Sequence, residues 1–434
     1  MKYLVVTSRG PFSHEKKGKN EVIENNVGGV ATALKMLLSK NGGVWVCWGN
    51  GMLDSNYRSE NFSNYTIKRV ILNQREKKKF YDEYSNSTLW PVFHYFRDRT
   101  TFYSDAFKYY LEVNRKFARE ILENIDNDTI IWIHDYQLAM IPGLLRDNGV
   151  KNKIIFTWHI PWVSPEFFSI IPESFDIIKS ISDSDYITFH IDSYRENFLR
   201  SQKYILGSST PAKVYSIPLG IDTKFFSPKN GKRINMIKNT KIIFSIDRLD
   251  YTKGLTLRAL AIENLLNEHP ELLKKFVYIM NVTPSRTTVS EYISMKKDLE
   301  MTVGRVNGRF GTIDWRPIIY MYRKIRDKTL LSYYKSADIA LITPLIDGLN
   351  LVSKEFVATT ENGILIISKF AGASRELNAA IKVNPYNIKE TACAILKALN
   401  MNDDEKNDMV SKLKKTVIKR DIRWWYKRIT ALAN

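Results

Sequence analysis

The sequence predicts an α/β protein made of two successive parallel-sheet halves, and three observations carry that prediction. Short apolar runs alternate with stretches of helical periodicity along the chain. The cycle pauses once, at a polar, basic stretch from Ser227 to Thr240. In both halves the apolar runs lead into loops that hold the chain's polar motifs.

The elements follow in order. Tyr3 to Thr7 is a first strand, Val30, Ala33, Leu34, Leu37 and Leu38 recur at helical spacing, and Val44 to Trp48 is the next strand, which is βαβ logic. Phe107, Tyr110, Leu111, Asn114, Phe117, Ala118, Ile121 and Leu122 form a helical stripe leading into Thr129 to His134, a buried strand. Ile154 to His159, Tyr186 to His190 and Val214 to Pro218 continue the pattern. After the stretch 227–240, the candidate linker, the cycle restarts with Lys241 to Ser245, then Phe276 to Asn281, Ile339 to Thr343 and Ile364 to Ser368. The tail from Asp404 to Asn434, with Trp424 and Trp425, is amphipathic and helical. No repeat or low-complexity segment occurs.

At 434 residues with 44% hydrophobic content, two sizeable cores are expected. Cys47 and Cys393, the only two cysteines, lack a CxxC or histidine partner, so neither a disulfide framework nor a cysteine zinc site is indicated and a reducing, cytoplasmic setting fits. The apolar run after Met1 is too short for a secretory leader, and no stretch approaches a membrane span. The net charge of +19 suits anionic partners, but the lysines are scattered and carry no zinc-finger or RNA-recognition signature, so nucleic acid is not expected.

The most informative run is Asp347-Gly348-Leu349-Asn350-Leu351-Val352-Ser353-Lys354-Glu355, read as a turn and the first turns of a helix. Gly348 permits close backbone approach. The amides from Leu349 to Val352 would face a phosphate with the helix dipole behind them, Asp347 would accept sugar hydroxyls, and Glu355 would take a ribose diol. Ordinary turn and cap chemistry is the competing reading. About a hundred residues earlier, Arg248 and Lys253 follow another strand, placed to neutralise a pyrophosphate unless they belong to a plain surface loop.

These loops, with Thr7-Ser8-Arg9, Val27 to Val30, Phe80 to Asn86, Leu89-Trp90-Pro91, Trp132 to Tyr136, His159-Ile160-Pro161, Pro284-Ser285-Arg286, Thr343-Pro344-Leu345 and Phe370 to Ala373, resemble the trehalose-6-phosphate synthase family of retaining glycosyltransferases over nearly the whole chain. The resemblance implies the GT-B architecture: two Rossmann-like domains facing across a cleft, spanning 1–225 for the acceptor and 226–415 for the nucleotide-sugar, with the helix 416–434 crossing back to the first. It implies transfer of glucose from a nucleotide-sugar, UDP-glucose before GDP- or ADP-glucose, to glucose 6-phosphate, with no cofactor and no metal ion.

Residue by residue, the resemblance assigns Arg9 and Arg286 to the acceptor phosphate, a task suited to the guanidinium fork. Tyr81 and Trp90 line the acceptor sugar, Asp135 binds its hydroxyls and Tyr136 assists. Gly28 and Gly29 reach the donor pyrophosphate, His159 lies against the donor glucose, and Ile325 stands where an aromatic often packs on the base. His159, Asp135, Arg248 and Lys253 are the expected catalytic groups. Alternatives stay open at several points: Trp90 alone reads as core, Gly28-Gly29 as a loop pair and His159 as a structural histidine, the reading that fits His134 better. Asp183-Ser184-Asp185 matches a short metal-binding DxD pattern, though capping explains it as well.

The chain also departs from the pattern, with Gln137 in place of a histidine, Trp162-Val163 in place of an aromatic-proline pair, and Arg316 in a position often neutral. A sister transferase with another phosphorylated acceptor such as glycerol 3-phosphate, or a silent nucleotide-sugar sensor, therefore remains an alternative. Homo-oligomer formation is not legible in the sequence.

Overall fold

A computed structural model of the chain describes residues 2–25, 29–209, 211–234, 240–285 and 290–433. It divides into two compact units: the first comprises Met1–Leu219 with Arg423–Asn434, the second Gly220–Ile422. The expected boundary at 225/226 falls inside the second unit, as do residues 416–422 of the expected terminal segment. Gly28 and Arg286, both expected at the site, lie outside the described residues, as does part of the candidate linker.

In the first unit the strands are β1 (Lys2–Arg9), β2 (Phe12–Lys17), β3 (Asn20–Asn25), β4 (Gly43–Trp48), β5 (Ser59–Asn61), β6 (Tyr65–Val70), β7 (Thr129–His134), β8 (Ile154–Thr157), β9 (Tyr186–Phe189) and β10 (Lys213–Ser216). Eight of them form one sheet in the order β10-β9-β8-β7-β1-β4-β6-β5, parallel except for the β5–β6 pair. Every residue of β7 is buried, as a strand covered on both faces requires. Strands β2 and β3 form a separate antiparallel hairpin that turns at Gly18, φ +62°. The second unit contains β11 (Lys241–Arg248), β12 (Phe276–Thr283), β13 (Ile318–Tyr322), β14 (Ile339–Ile342), β15 (Ile364–Ser368) and β16 (Ile381–Val383), an all-parallel sheet ordered β13-β12-β11-β14-β15-β16.

Both orders reverse direction at one strand. β1 is flanked by β4 and β7, and β11 by β12 and β14. Such switch points open a crevice beyond the carboxyl ends of the strands, where doubly wound sheets take ligands. Arg9 ends β1 and Arg248 ends β11.

Two departures from simple helical geometry shape the first unit. Residues Lys77–Leu89 form a π-helix, with side chains reinforcing its five-residue spacing: Ser85 Oγ donates to Phe80 O at 2.7 Å and Asn86 Nδ2 to Tyr81 O at 2.7 Å. With i→i+5 bonding, residues four or five apart become neighbours, so Tyr81, Asn86 and Trp90 share a face. The tail is not one helix but two, Asp403–Lys419 and Ile422–Ala433, and the latter buries Trp425 against Trp132 of β7 with ring centroids 5.2 Å apart. Among the described residues no helix is long and apolar enough to cross a membrane.

Candidate functional site

The site groups of the first unit converge beyond β1, β7 and β8. Register between β1 and β4 slips between Thr7 and Arg9, which re-aims the strand end. Arg9 is exposed there, with Nη2 donating to Tyr81 Oη at 2.7 Å and the guanidinium 5.1 Å from the Tyr81 ring centroid. Trp90 is buried, its ring 4.0 Å from His94 and 6.0 Å from Tyr136. Tyr136 Oη donates to Asn86 Oδ1 at 3.3 Å, closing a connected set from Arg9 to the loop after β7. Trp90 is thus both core and neighbour of the site.

That loop is held from behind by the helix Ala106–Leu122. Its buried Tyr110 Oη donates to Tyr136 O at 2.6 Å and accepts from Ala139 N at 3.1 Å, and Asn114 Nδ2 donates to Gln137 O at 3.1 Å. So supported, Asp135 holds φ +73°, a conformation that costs a non-glycine residue about 1–3 kcal/mol and is found where structure is committed to function. Its Oδ1 accepts the backbone N–H of His159 at 3.2 Å. Burial pushes the Asp135 carboxyl up to about 7, against the lowering pull of the Tyr136 and His159 amides.

His159 does not present a vacant ring nitrogen. Its Nε2 is 2.9 Å from His134 Nδ1 and its Nδ1 is 3.2 Å from His190 Nε2, while the half-buried ring stacks on His134 with centroids 5.2 Å apart. Burial pushes His159 down to about 3. It also lowers His134 well below the usual histidine range, with His159 and His190 adding to the effect. Both are neutral at pH 7. His190 was not singled out from the sequence, although three apolar strands each reaching a histidine was a readable signal.

In the second unit, β11 ends in Arg248, half-exposed, and a tight turn follows. Asp250 Oδ1 accepts from Thr252 N at 3.0 Å, and Gly254 takes φ +63° where a Cβ would press on Thr343 O at 3.0 Å. Lys253 Nζ meets Asp347 Oδ2 at 2.5 Å. Burial opposes the lysine charge, but Asp347 and Asp247 outweigh it and hold the pKa above its ordinary value. Arg258, fully buried, clamps this turn: Nη1 donates to Asp247 Oδ2 at 2.6 Å, Nη2 to Lys253 O at 2.8 Å and Nε to Thr343 Oγ1 at 3.0 Å.

The run after β14 differs from expectation at its start. The helix begins at Leu351, and Asn350, at φ +78°, is its cap, with Oδ1 accepting from Ser353 N at 3.0 Å. The reason is competition: a capping Asn side chain satisfies a first-turn amide better than one more turn of helix would. Asp347, Gly348 and Leu349 are therefore loop residues. Gly372 packs so closely on Gly348 O that a Cβ would come within 2.2 Å, and Ala373 N donates to Leu349 O at 2.7 Å. By position, Leu351 and Val352 carry first-turn amides without intrahelical acceptors. Glu355 sits in the second turn, its Oε2 accepting from buried Tyr334 Oη at 2.9 Å, and burial pushes its carboxyl up to about 7.

Ile325, half-buried, follows β13 at its carboxyl end, whereas Arg316 precedes that strand at the other end and is remote from Ile325. Gly29 opens the helix Gly29–Asn41. Asp185 of the DxD pattern accepts from Ile154 N at 2.7 Å and from Arg146 Nη2 at 2.8 Å, at the amino ends of β8 and β9, away from every group above.

Two Rossmann-like units, each with its polar groups beyond the carboxyl ends of a parallel sheet, define a glycosyltransferase of the GT-B class. The profile of Glycosyltransferase family 20 matches residues 1–434, and the chain belongs to that family. It is 35% identical to the trehalose-6-phosphate synthase of Klebsiella pneumoniae, over 98% of this chain and 93% of the relative. It is 37% identical to the bifunctional trehalose-6-phosphate synthase/phosphatase of Thermoproteus tenax, over 98% of this chain but only 62% of that longer protein. Among solved structures, the Escherichia coli protein bound with UDP-2-fluoro glucose superposes with TM-score 0.92 at 32% identity, covering 100% of this chain and 99% of the other. A Burkholderia xenovorans α,α-trehalose-phosphate synthase in complex with glucose-6-phosphate gives TM-score 0.90 at 28% identity, covering 100% of both chains.

Proposed function

We propose that this chain transfers glucose from UDP-glucose to glucose 6-phosphate with retention of configuration, giving α,α-trehalose 6-phosphate and UDP. The observation that carries the reading is whole-length likeness, with TM-score 0.92 to a relative solved with a UDP-glucose analogue. The local geometry agrees. Lys253 and Arg248 supply positive charge at the β11 switch point, where it would stabilise the diphosphate as it leaves through an oxocarbenium-like state. Asp347 keeps Lys253 charged and aimed. The first-turn amides of Leu351 and Val352 add their dipoles, and Glu355 takes the ribose diol. In the first unit Arg9 binds the acceptor phosphate, Tyr81 and Trp90 line its sugar, and Asp135 accepts a hydroxyl. His159 bounds the sugar site with its ring and holds Asp135 through its backbone. The acceptor hydroxyl oxygen bonds to the anomeric carbon on the face from which the diphosphate departs, so no protein nucleophile is needed, and the departing phosphate oxygen takes the acceptor proton, so no protein base is needed. An intracellular location follows from these substrates, which are made inside cells.

Product analysis tests this. The purified chain is incubated with UDP-, GDP- or ADP-glucose, with and without glucose 6-phosphate, and products are separated and identified. A disaccharide phosphate formed only with the acceptor, fastest from UDP-glucose, is expected. Product from glycerol 3-phosphate instead would move the reading to a sister transferase, and binding without turnover would move it to a sensor.

A further inference from the structure

His134, His159 and His190 stand at the ends of three adjacent strands, β7, β8 and β9, and are hydrogen-bonded in series. One end of the row is fixed by a backbone group. Leu219 N lies 3.4 Å from His190 Nδ1, and a main-chain N–H can only donate, so that nitrogen accepts. A neutral imidazole that accepts at Nδ1 carries its proton on Nε2, and His190 Nε2 faces His159 Nδ1 at 3.2 Å. His159 is thereby made an acceptor at Nδ1 and a donor at Nε2, toward His134 Nδ1 at 2.9 Å. His134 repeats the pattern, leaving its proton on Nε2, which is buried without a hydrogen-bond partner.

One amide thus sets the tautomer of three rings. Reversing His159 alone would place two N–H groups head to head against His190 and two lone pairs head to head against His134. Adding a proton to any one ring creates a similar clash, so the row holds or fails together. We propose that His190 is a positioning residue for the transfer reaction, fixing His159 as its Nε2–H tautomer in one ring plane and so keeping the His159 backbone N–H on Asp135. This rests on the reading above that Asp135 receives the acceptor hydroxyl. The part played by His190 is indirect: it acts on Asp135 through His159, which it meets at Nε2 while its Nδ1 faces Leu219 N.

Long-range 1H–15N spectra of the full chain labelled with 15N-histidine report which ring nitrogen is protonated, and single His→Gln variants assign the six histidines. The native chain should show His134, His159 and His190 protonated on Nε2 alone. His190→Gln keeps both functions, since Oε1 can accept from Leu219 and Nε2 can donate to His159, and should retain the His159 tautomer and near-native rates. His190→Leu removes the donor. It should mix or reverse the His159 tautomer and lower kcat/KM for the acceptor about tenfold, the equivalent of one hydrogen bond. A native His159 protonated on Nδ1, or a Gln variant as impaired as the Leu variant, overturns the proposal. The native spectrum and the Gln variant decide it even if His190→Leu does not fold. Correct tautomers in a chain that transfers nothing to any acceptor would support the row itself while removing the function reading beneath it.

Discussion

At the scale of single residues, the most consequential pairing is one the motifs did not announce. Glu355 was legible as a carboxylate one run beyond an anion loop, but its partner Tyr334 comes from a different helix and looks like core from its sequence surroundings. Burial holds the Glu355 carboxyl at about 7, with the Tyr334 hydroxyl bond working against that rise. A hydrogen bond to the charged form favours it, so removing the hydroxyl raises the carboxyl further. Ribose hydroxyls are best accepted by the ionised group, and kcat/KM reports the free enzyme. The profile of kcat/KM for the nucleotide-sugar should therefore rise through about pH 7 in the native chain. In Tyr334→Phe that limb should move to higher pH, with donor KM at pH 7 increased about three- to tenfold and acceptor KM unaltered. Unshifted limbs in the Phe variant would show that the bond does not tune this group. Asp135, also at about 7, should produce a separate limb for the acceptor that Tyr334→Phe leaves in place.

Elements show the same division between what sequence carries and what it does not. Strands β7, β12, β14 and β15 were readable because a strand buried on both faces must be a short continuous apolar run. The β2–β3 hairpin escaped notice because its strands are mostly charged and polar, with only β2 well buried at its start. The π-helix Lys77–Leu89 has no sequence period distinct enough from 3.6 to show itself, yet it is what brings Tyr81 and Trp90 to one face. Arg258 reads as an ordinary helix residue, and its three bonds to β11, the turn and the residue after β14 depend on folded geometry alone. Removing one partner of a buried ion pair leaves the other charge uncompensated, which costs about 3–5 kcal/mol. Arg258→Met should lower stability by that amount in urea unfolding and raise donor KM, because Lys253 loses its backbone anchor. Adding Asp247→Leu should recover most of the stability but not donor KM, separating fold from positioning. Full recovery of both would mean that the clamp serves stability only.

On the scale of the whole molecule, the first unit is built from two pieces of chain far apart in sequence, since residues 423–434 belong with residues 1–219. The tail's amphipathic pattern was legible, and its return to the first unit was an implication of family likeness rather than of periodicity. The contacts give that return a physical cause. Trp425, Ile429 and Ala433 are fully buried, Trp425 lies against Trp132, and Lys153 Nζ donates to Ala433 O at 2.6 Å. Trp132 in turn lies 4.8 Å from the His134 ring, so the terminal helix backs the strand that leads to Asp135. Truncating a buried tryptophan to alanine costs about 3–5 kcal/mol, and each kcal/mol shifts the melting temperature of a unit this size by about 2–4 °C. Trp425→Ala should then lower the thermal transition of the first unit by roughly 6–20 °C, followed by the loss of near-ultraviolet signal from its tryptophans. Because the substitution lies behind β7, acceptor kcat/KM should fall at temperatures where the protein is still folded, while donor binding, measured calorimetrically, stays near native. A Trp425→Ala chain that melts where the native chain melts would mean that the last helix merely covers the first unit and that β7 is held in place from within residues 1–219.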